Sequence, residues 1–228
     1  MSNRCAAMLW LACMALPAAA ETAPAPLPGA EKTLKTRVLE NSARWMQGDS
    51  PLQDINVYLV GLQRQRTDPT QQNETHQYCE QVNQDFAQCV LYDGNGRGAR
   101  LSGVQYIISA KLYEALAPAE KPLWSPLGYA ILSGQLVAPG VPAVAEKALM
   151  KDKIAAYSKT WQLWNTGGPG RSGSALPVGE AHLLDNFVRD GEASAELVRQ
   201  RDQRLGIDAN KKRSERQSLA PAARPAPR

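Results

Sequence analysis

The sequence has few of the side chains that most often bind metals or act as nucleophiles and bases. Histidine occurs 2 times and cysteine 4 times among the 228 residues. A catalytic zinc centre takes about three protein ligands, and no segment brings such ligands together at a recognised spacing. The glycine-rich residues 167–173 also lack the Lys-Ser/Thr pair with which a phosphate-binding loop opens its helix. These absences argue against a metal enzyme and against a nucleotide-binding protein.

A long hydrophobic run occurs only at the amino terminus. Arg4 precedes an apolar stretch over residues 5–16, and residues 18–20 are the small alanines that a signal peptidase accepts. This stretch is too short to cross a bilayer as a helix, which makes a retained transmembrane anchor the weaker alternative. We therefore predict a cleaved signal peptide over residues 1–20, a Pro/Ala-rich linker over residues 21–30, and a periplasmic or secreted protein exported from a bacterial cytoplasm.

The basic charge of the chain is concentrated at its carboxy terminus. The formal net charge is +4, from 26 Lys and Arg against 22 Asp and Glu. Residues 209–228 contain six basic residues and one acidic residue, so the rest of the chain after the signal is about neutral. Because this charge lies on a Pro/Ala/Arg-rich segment and not on a patterned face, we predict a disordered tail and no nucleic-acid groove. A weak electrostatic tether to an anionic polymer or lipid is the alternative.

Two alternating segments on either side of residues 83–85 predict a β-hairpin. A three-residue loop sets four pairs opposite each other: Val82 and Phe86, Tyr78 and Val90, His76 and Tyr92, and Cys79 and Cys89. In an oxidising compartment the two cysteines predict a disulfide, which would contribute about 2–3 kcal/mol to stability. Two buried free thiols are the alternative.

The remaining periodicities predict strands in the middle of the chain and helices around them. Strands are expected over residues 55–62 and 101–108. Helices are expected over residues 34–46, 109–116, 118–124, 143–150, 154–161 and 195–205. We therefore predict a single α+β domain over residues 31–208, with a mostly antiparallel sheet covered by helices on one face. A doubly wound α/β fold lacks the necessary helix-strand alternation.

Residues 126–137 have almost no ionisable side chain. They are predicted as core strands around a turn at Ser133-Gly134, and the alternative is an apolar patch that contacts a lipid, a hydrophobic ligand or another subunit. Leu132 and Leu136 are the contact candidates under that alternative. Trp161 is predicted to lie at the core or its rim, with a ligand-stacking platform as the alternative.

Short motifs follow one another in a fixed order over most of the chain after the signal. They are Lys35-Thr36-Arg37-Val38-Leu39-Glu40, Ile55-Asn56-Val57-Tyr58-Leu59, Glu74-Thr75-His76, Tyr78-Cys79, Asn83-Gln84-Asp85-Phe86, Gln88-Cys89, Tyr92-Asp93, Ala99-Arg100-Leu101, Gly103-Val104, Tyr106-Ile107-Ile108-Ser109, Pro122-Leu123-Trp124, Ser133-Gly134, Tyr157-Ser158-Lys159, Trp161-Gln162 and Leu176-Pro177-Val178-Gly179. In order and spacing they resemble the oil body-associated protein family, which comprises plant seed proteins and bacterial homologues known mainly as a domain of unknown function. The resemblance implies a role at lipid-storage particles and attaches no enzymatic activity to particular residues.

Histidines that members of this family usually carry are missing here. The chain has Ser125-Pro126-Leu127-Gly128 where the family has a His-x-His-Glu-like cluster, and it has Gln63 and Gln77 where the family often has histidine. Of that set His76 remains. If the histidines bind a metal or move protons in relatives, the resemblance implies that this chain has lost the site, since a lone imidazole cannot build a metal centre. The alternative is that they have no function in the relatives.

We therefore expect a non-catalytic binding or structural protein that contacts a lipid, an apolar ligand or a protein partner, without a cofactor, a metal or nucleic acid. The candidate contact residues are His76, Tyr78, Tyr92, Tyr129, Leu132, Leu136 and Trp161. The alternative is a hydrolase or metal-dependent enzyme centred near His76. That alternative requires His76 to lie beside Glu80, Asp93 or Tyr129 in a deep cleft.

Overall fold

The computed structural model describes residues 33–36, 38–39, 51–168 and 171–224. Residues 34–36 and 38–39 are helical, as expected for the start of the first helix. The predicted signal peptide, the predicted linker and the remainder of the predicted helix lie outside the described residues. The main body begins with a 3-10 helix, Pro51–Asp54.

Seven strands form one antiparallel sheet that closes into a barrel. They are β1 (Val57–Gln65), β2 (Gln72–Asn83), β3 (Phe86–Tyr92), β4 (Leu101–Ile108), β5 (Ser125–Pro126), β6 (Tyr157–Gln162) and β7 (His182–Asn186). The strand order is β4-β3-β2-β1-β7-β6, and β6 also pairs with β4. Six strands therefore close the barrel. The short strand β5 pairs only with the first residues of β6, Tyr157 and Ser158, which β7 does not reach.

The closure corrects the prediction of a sheet covered by helices on one face. It depends on β6, residues 157–162, which lies between β4 and β7, whereas the sequence predicts a helix over residues 154–161. Thr160 and Gln162 point into the barrel and are buried, whereas Trp161 points outward. Because β6 pairs with β4 on one side and β7 on the other, the backbone groups at both strand edges are hydrogen-bonded, which a helix could not achieve. The broader prediction, a mostly antiparallel sheet with helices in a single domain, is confirmed.

The hairpin of β2 and β3 has the predicted register over most of its length. The confirmed pairs are His76 with Tyr92, Tyr78 with Val90, and Cys79 with Cys89. A bulge near the turn shifts the last pair, so that Asn83, and not Val82, faces Phe86. The predicted disulfide between Cys79 and Cys89 is present, and both side chains are buried on the inner face of the barrel.

The helices after β4 are α1 (Ala110–Glu114), α2 (Gly128–Leu132), α3 (Ala143–Lys153), α4 (Ala195–Leu205) and α5 (Ala209–Arg216). Ser109 caps α1 as predicted, because its hydroxyl accepts a hydrogen bond from the backbone N–H of Leu112 at 3.3 Å. The expected helix over residues 118–124 is reduced to a 3-10 turn, Lys121–Leu123. The helices expected over residues 143–150 and 195–205 are confirmed as α3 and α4.

Helices α2 and α3 close one end of the barrel with apolar side chains. Ile131 and Met150 are fully buried there, in one core cluster with Leu59 of β1. Residues 128–132 are thus helical, although the sequence predicts strands. Leu136 is buried in the same cluster and Leu132 packs against it. Leu136 is therefore too buried to contact a partner, and Leu132 is only partly exposed.

The turn after α2 requires a glycine and explains why this segment is not a pair of strands. Gly134 has a φ of +75°, and a Cβ added there would lie 2.6 Å from the carbonyl oxygen of Ala209. Because Gly134 packs closely against Ala209, the chain turns there and Leu136 enters the core. Val137 then exchanges backbone hydrogen bonds with Val60 of β1.

The prediction of a disordered tail is wrong for residues 209–224, which form α5 and a following 3-10 helix, Gln217–Ala222. The Arg216 guanidinium is only 1% exposed and lies 2.9 Å from the Glu146 carboxylate of α3. It also donates hydrogen bonds to the carbonyl oxygens of Ile131 at 2.7 Å and Leu136 at 2.8 Å. Composition suggested a solvated basic segment, but these buried carbonyls and the buried carboxylate need a cation.

Beyond the apolar core, amide and hydroxyl side chains fill the inside of the barrel. The side-chain oxygen of Gln105 accepts hydrogen bonds from the Thr160 hydroxyl at 2.7 Å and the Gln63 side-chain amide at 3.3 Å. The side-chain NH2 of Gln105 donates to the side-chain oxygen of Gln77 at 3.0 Å. Gln63 also donates to Asn186 at 3.1 Å. All five side chains are buried. Because water is excluded here, each amide depends on its neighbours for hydrogen bonds.

Replacing Arg216 by alanine is expected to lower the free energy of unfolding by about 3 kcal/mol, because two buried carbonyls lose their donor and the buried Glu146 keeps only Lys212 as a cation. Urea unfolding followed by circular dichroism measures the change. Arg213→Ala is the matched control on the same helix, since Arg213 pairs with the exposed Asp190. The control should leave the urea midpoint nearly unchanged, and equal effects of the two variants would contradict the assignment.

Replacing Gln105 by leucine, which has a similar size, should lower the free energy of unfolding by about 3 kcal/mol, because three buried neighbours each lose a partner. The control is Gln88→Leu on the adjacent strand, where the glutamine is exposed on the outer face. Thermal unfolding of both variants provides the comparison. A Gln105→Leu protein as stable as the parent would show that the interior amides are not coupled.

Candidate functional site

The outer face of β1 to β3 brings three of the predicted contact residues together. Tyr78 stacks on Tyr58 with 5.0 Å between ring centroids, and Tyr92 meets Tyr78 edge-on at 5.6 Å. The His76 ring lies parallel to Tyr58 at 6.0 Å. His76, Tyr78 and Tyr92 thus form one cluster with Tyr58. The sequence analysis missed Tyr58, although the alternation within residues 55–62 was the signal that could have found it.

A chain of polar contacts connects this cluster to α4. The Tyr58 hydroxyl lies 2.7 Å from Nδ1 of His76, and Nε2 of His76 lies 3.0 Å from Oε1 of Glu74. The other carboxylate oxygen of Glu74 accepts a hydrogen bond from Arg204. His76 is 2% exposed, so this chain crosses from the barrel face to α4 largely out of water.

Burial and charge set the protonation of these groups. Burial raises the pKa of the Tyr58 hydroxyl well above its ordinary value, and the nearby Tyr78 and Glu74 raise it further. Burial alone would also raise the pKa of Glu74, but its contacts with His76 and Arg204 outweigh burial and hold that pKa below its ordinary value. At neutral pH the site therefore contains a neutral phenol and an ionised carboxylate.

A cavity of about 110 Å³ opens at the barrel mouth beside this chain. Its wall includes residues from the strands and from the glycine-rich loop, among them Glu74, His76 and Asp93. Arg100 pairs with Asp93 at 2.8 Å and donates a hydrogen bond to the backbone carbonyl oxygen of Thr166 at 3.2 Å, and both Asp93 and Thr166 line the cavity. The cavity is therefore bordered by fixed polar groups.

The enzyme hypothesis requires His76 to lie beside Glu80, Asp93 or Tyr129. Of these, Asp93 lines the same cavity as His76. Glu80 instead accepts a hydrogen bond from Gln88 at 2.6 Å, and Tyr129 donates to Asp190 at 2.7 Å. Sequence reasoning thus paired the histidine with one cavity neighbour and missed Glu74, two residues away on the same strand face.

The imidazole of His76 is placed to connect protein groups. Its two ring nitrogens face Tyr58 and Glu74 at 2.7 and 3.0 Å. In the part of the chain that the structure describes, no group of three or more His, Cys, Asp and Glu residues could hold a metal ion. Gln63 and Gln77, which stand where the resemblance placed histidines, both lie in the amide network inside the barrel.

A row of five residues crosses the outer face of the barrel, each directly opposite the next on five adjacent strands. This apolar belt consists of Tyr58, Tyr78, Val90, Val104 and Trp161. All five side chains are partly exposed. The sequence analysis named Tyr78 and Trp161 as contact residues but had no means of placing them on one row, because the closing strand β6 was predicted as a helix.

Further apolar side chains lie around the belt. Leu101 and Tyr106 are 46% and 40% exposed. An open hollow of about 360 Å³ beside Tyr78 is lined by Ile55 and Tyr92 as well. Together they widen the apolar belt into a surface that spans β2 to β4. Tyr129 lies apart from it on α2. Within the described residues, no helix is both long enough and apolar enough to cross a bilayer.

Comparison with known proteins shows which family and which relatives the chain is similar to. A family model described as "Protein of unknown function (DUF1264)" matches residues 49–220. The chain is 33% identical over 190 residues to oil body-associated protein 1A of Zea mays, covering 83% of this chain and 78% of that protein. It is 34% identical over 208 residues to oil body-associated protein 2B of Arabidopsis thaliana, covering 90% and 82%. No solved structure matches.

These relatives are plant proteins, so they lend no support to the expected bacterial origin and export. The matched region takes in the apolar belt, the cavity and helix α5, which sequence composition had assigned to a disordered tail. A family model over most of the chain and curated relatives aligned over most of their own length agree with the order of motifs in the sequence. The chain therefore belongs to the oil body-associated protein family.

Proposed function

We propose that this protein attaches to the apolar surface of a lipid particle through the apolar belt, in a non-catalytic role. The observation that carries the proposal is the unbroken row of partly exposed apolar side chains across five paired strands. The names of the relatives, which associate them with oil bodies, support lipid as the partner.

The composition of the apolar belt suits an interface between lipid and water. Tyrosine and tryptophan combine a large apolar ring with a polar group that can stay hydrated, and they are enriched at membrane interfaces. Burial of apolar area stabilises attachment by about 25 cal/mol per Å². Because the side chains stand on a closed sheet, little conformational freedom is lost on binding.

The contacts of His76 support a positioning role for this residue. Its imidazole holds the Tyr58 hydroxyl at 2.7 Å and so fixes the first ring of the apolar belt. Through Glu74 and Arg204 the same contacts tie the belt to α4. A turnover activity that disappears in a folded His76→Gln variant would contradict the non-catalytic assignment and favour the enzyme hypothesis.

Export of the chain stays a prediction that the disulfide supports. The bond between Cys79 and Cys89 joins neighbouring strands in the barrel wall. Disulfides persist in oxidising compartments such as the periplasm or the cell exterior. The oxidised hairpin therefore fits a chain that matures outside a reducing cytoplasm.

Binding to artificial droplets of triacylglycerol coated with phosphatidylcholine tests the proposal. The parent protein is expected to float with the droplets in a density gradient. Replacing Val90 and Val104 together by glutamine should lower the partition constant onto the droplets about tenfold, since a loss of about 1.4 kcal/mol of apolar burial corresponds to that factor. Both valines point outward, so the fold should be kept.

The control for this experiment is Gln88→Asn, which changes an exposed polar residue on the same face of β3. It should float like the parent protein. If the parent protein stays in the soluble fraction, or if the double valine variant floats as well as the control, attachment through the apolar belt is ruled out.

A further inference from the structure

The cavity at the barrel mouth contains two buried polar atoms that lack a hydrogen-bond partner within the described residues. They are Nδ2 of Asn73 and Oε1 of Glu74, and both residues line the cavity. Asn73 is 7% exposed. The Glu74 oxygen lies 3.0 Å from His76 but without hydrogen-bond geometry. Asn73 and Glu74 leave opposite faces of β2 and border the cavity from two sides, so a ligand there needs one group that accepts from Asn73 and one that donates to Glu74.

The charged side chains that line the cavity are already paired with protein groups of opposite charge. The ionised Glu74 pairs with Arg204, and Asp93 pairs with Arg100. A charged ligand would therefore enter against one of these pairs and would leave its own charge uncompensated. A hydroxyl group fits instead, because it donates one hydrogen bond and accepts others.

The volume of the cavity and its apolar lining residues limit the ligand further. A cavity of about 110 Å³ is somewhat smaller than the engineered cavity of about 150 Å³ that holds benzene. Its wall includes the apolar side chains of Leu91 and Leu184 beside the polar groups. The ligand must therefore have few heavy atoms, several hydroxyl groups and a short carbon backbone.

We propose that this cavity binds a small neutral polyol of the size of glycerol, either free or as the headgroup of a monoacylglycerol. One hydroxyl donates to Oε1 of Glu74, a second accepts from Nδ2 of Asn73, and the carbon backbone lies against the two leucines. Thr166, Gly167 and Gly168 complete the wall of the cavity. The inference does not depend on attachment through the apolar belt.

The test is a titration of isotope-labelled protein followed by nuclear magnetic resonance. The probes are glycerol, 1-butyrylglycerol and, as a control, propan-1-ol, which has a single hydroxyl. We expect saturable shifts of the backbone amides of Asn73 and of residues 166–168, with a dissociation constant on the order of 1 mM. Tighter binding of 1-butyrylglycerol than of glycerol assigns the site to a lipid headgroup, and the reverse order assigns it to a free polyol.

Two variants remove one partner each. Glu74→Gln places an amide where the acceptor stood, and Asn73→Asp removes the donor while keeping the oxygen that accepts from Arg171 at 2.8 Å. Each is expected to weaken binding about tenfold or more. Glu80→Gln is the matched control, because it removes the same charge from the same face of β2 outside the cavity. It should bind like the parent protein.

Two results would overturn the proposal. One is a set of shifts that grow linearly with polyol concentration and scatter over the surface, which would mean that the cavity holds water only. The other is unchanged binding in both Glu74→Gln and Asn73→Asp. Spectra of the free variants that overlay on the parent spectrum away from the cavity confirm the fold, and the second variant keeps the test valid if the first does not fold.

Discussion

The pairing of β6 with β4 is the constraint on which the rest of the structure depends. It turns a sheet with two open edges into a closed barrel and so removes one whole face of every strand from water. Polar side chains on that face must then satisfy one another, as Gln63, Gln105 and Thr160 do. The same alternation leaves the apolar belt on the outside, where it crosses the closing strand at Trp161.

A second set of contacts holds α2 and the turn after it at one end of the barrel. The buried Arg201 donates to the carbonyl oxygens of Gly134 and Gln135 at 2.8 and 3.1 Å, as Arg216 does for neighbouring carbonyls of the same segment. Each arginine also has a carboxylate partner, Asp202 or Glu146. The carboxy-terminal helices are therefore part of the domain, in agreement with a family match that extends to residue 220.

The sequence was sufficient for features that depend on local pattern and insufficient for those that depend on closure. Alternation and turn residues predicted the hairpin register and the disulfide between Cys79 and Cys89, and Ser109 marked the start of α1. Residues 157–161 were misassigned to a helix because Met150, Ile154 and Tyr157 continue a helical spacing, while the partners that make β6 a strand lie far away in the chain. Burial of Arg216 was equally invisible, since composition does not reveal which carbonyls lack a donor.

Of the candidate site, the sequence predicted the hairpin residues His76, Tyr78 and Tyr92 and missed Tyr58, Glu74 and Asn73. Tyr78 and Tyr92 stood out on one face of the hairpin, whereas the roles of Glu74 and Asn73 depend on residues distant in sequence, such as Thr166 and Arg204, that line the same cavity. The account as a whole depends on closure of the barrel, and hydrogen exchange of the backbone amides of β4 that bond to β6 tests it most directly. Closure predicts that these amides exchange only through global unfolding, with the same dependence on denaturant as the amides between β2 and β3. Much faster exchange through local opening at the β4–β6 edge would contradict it.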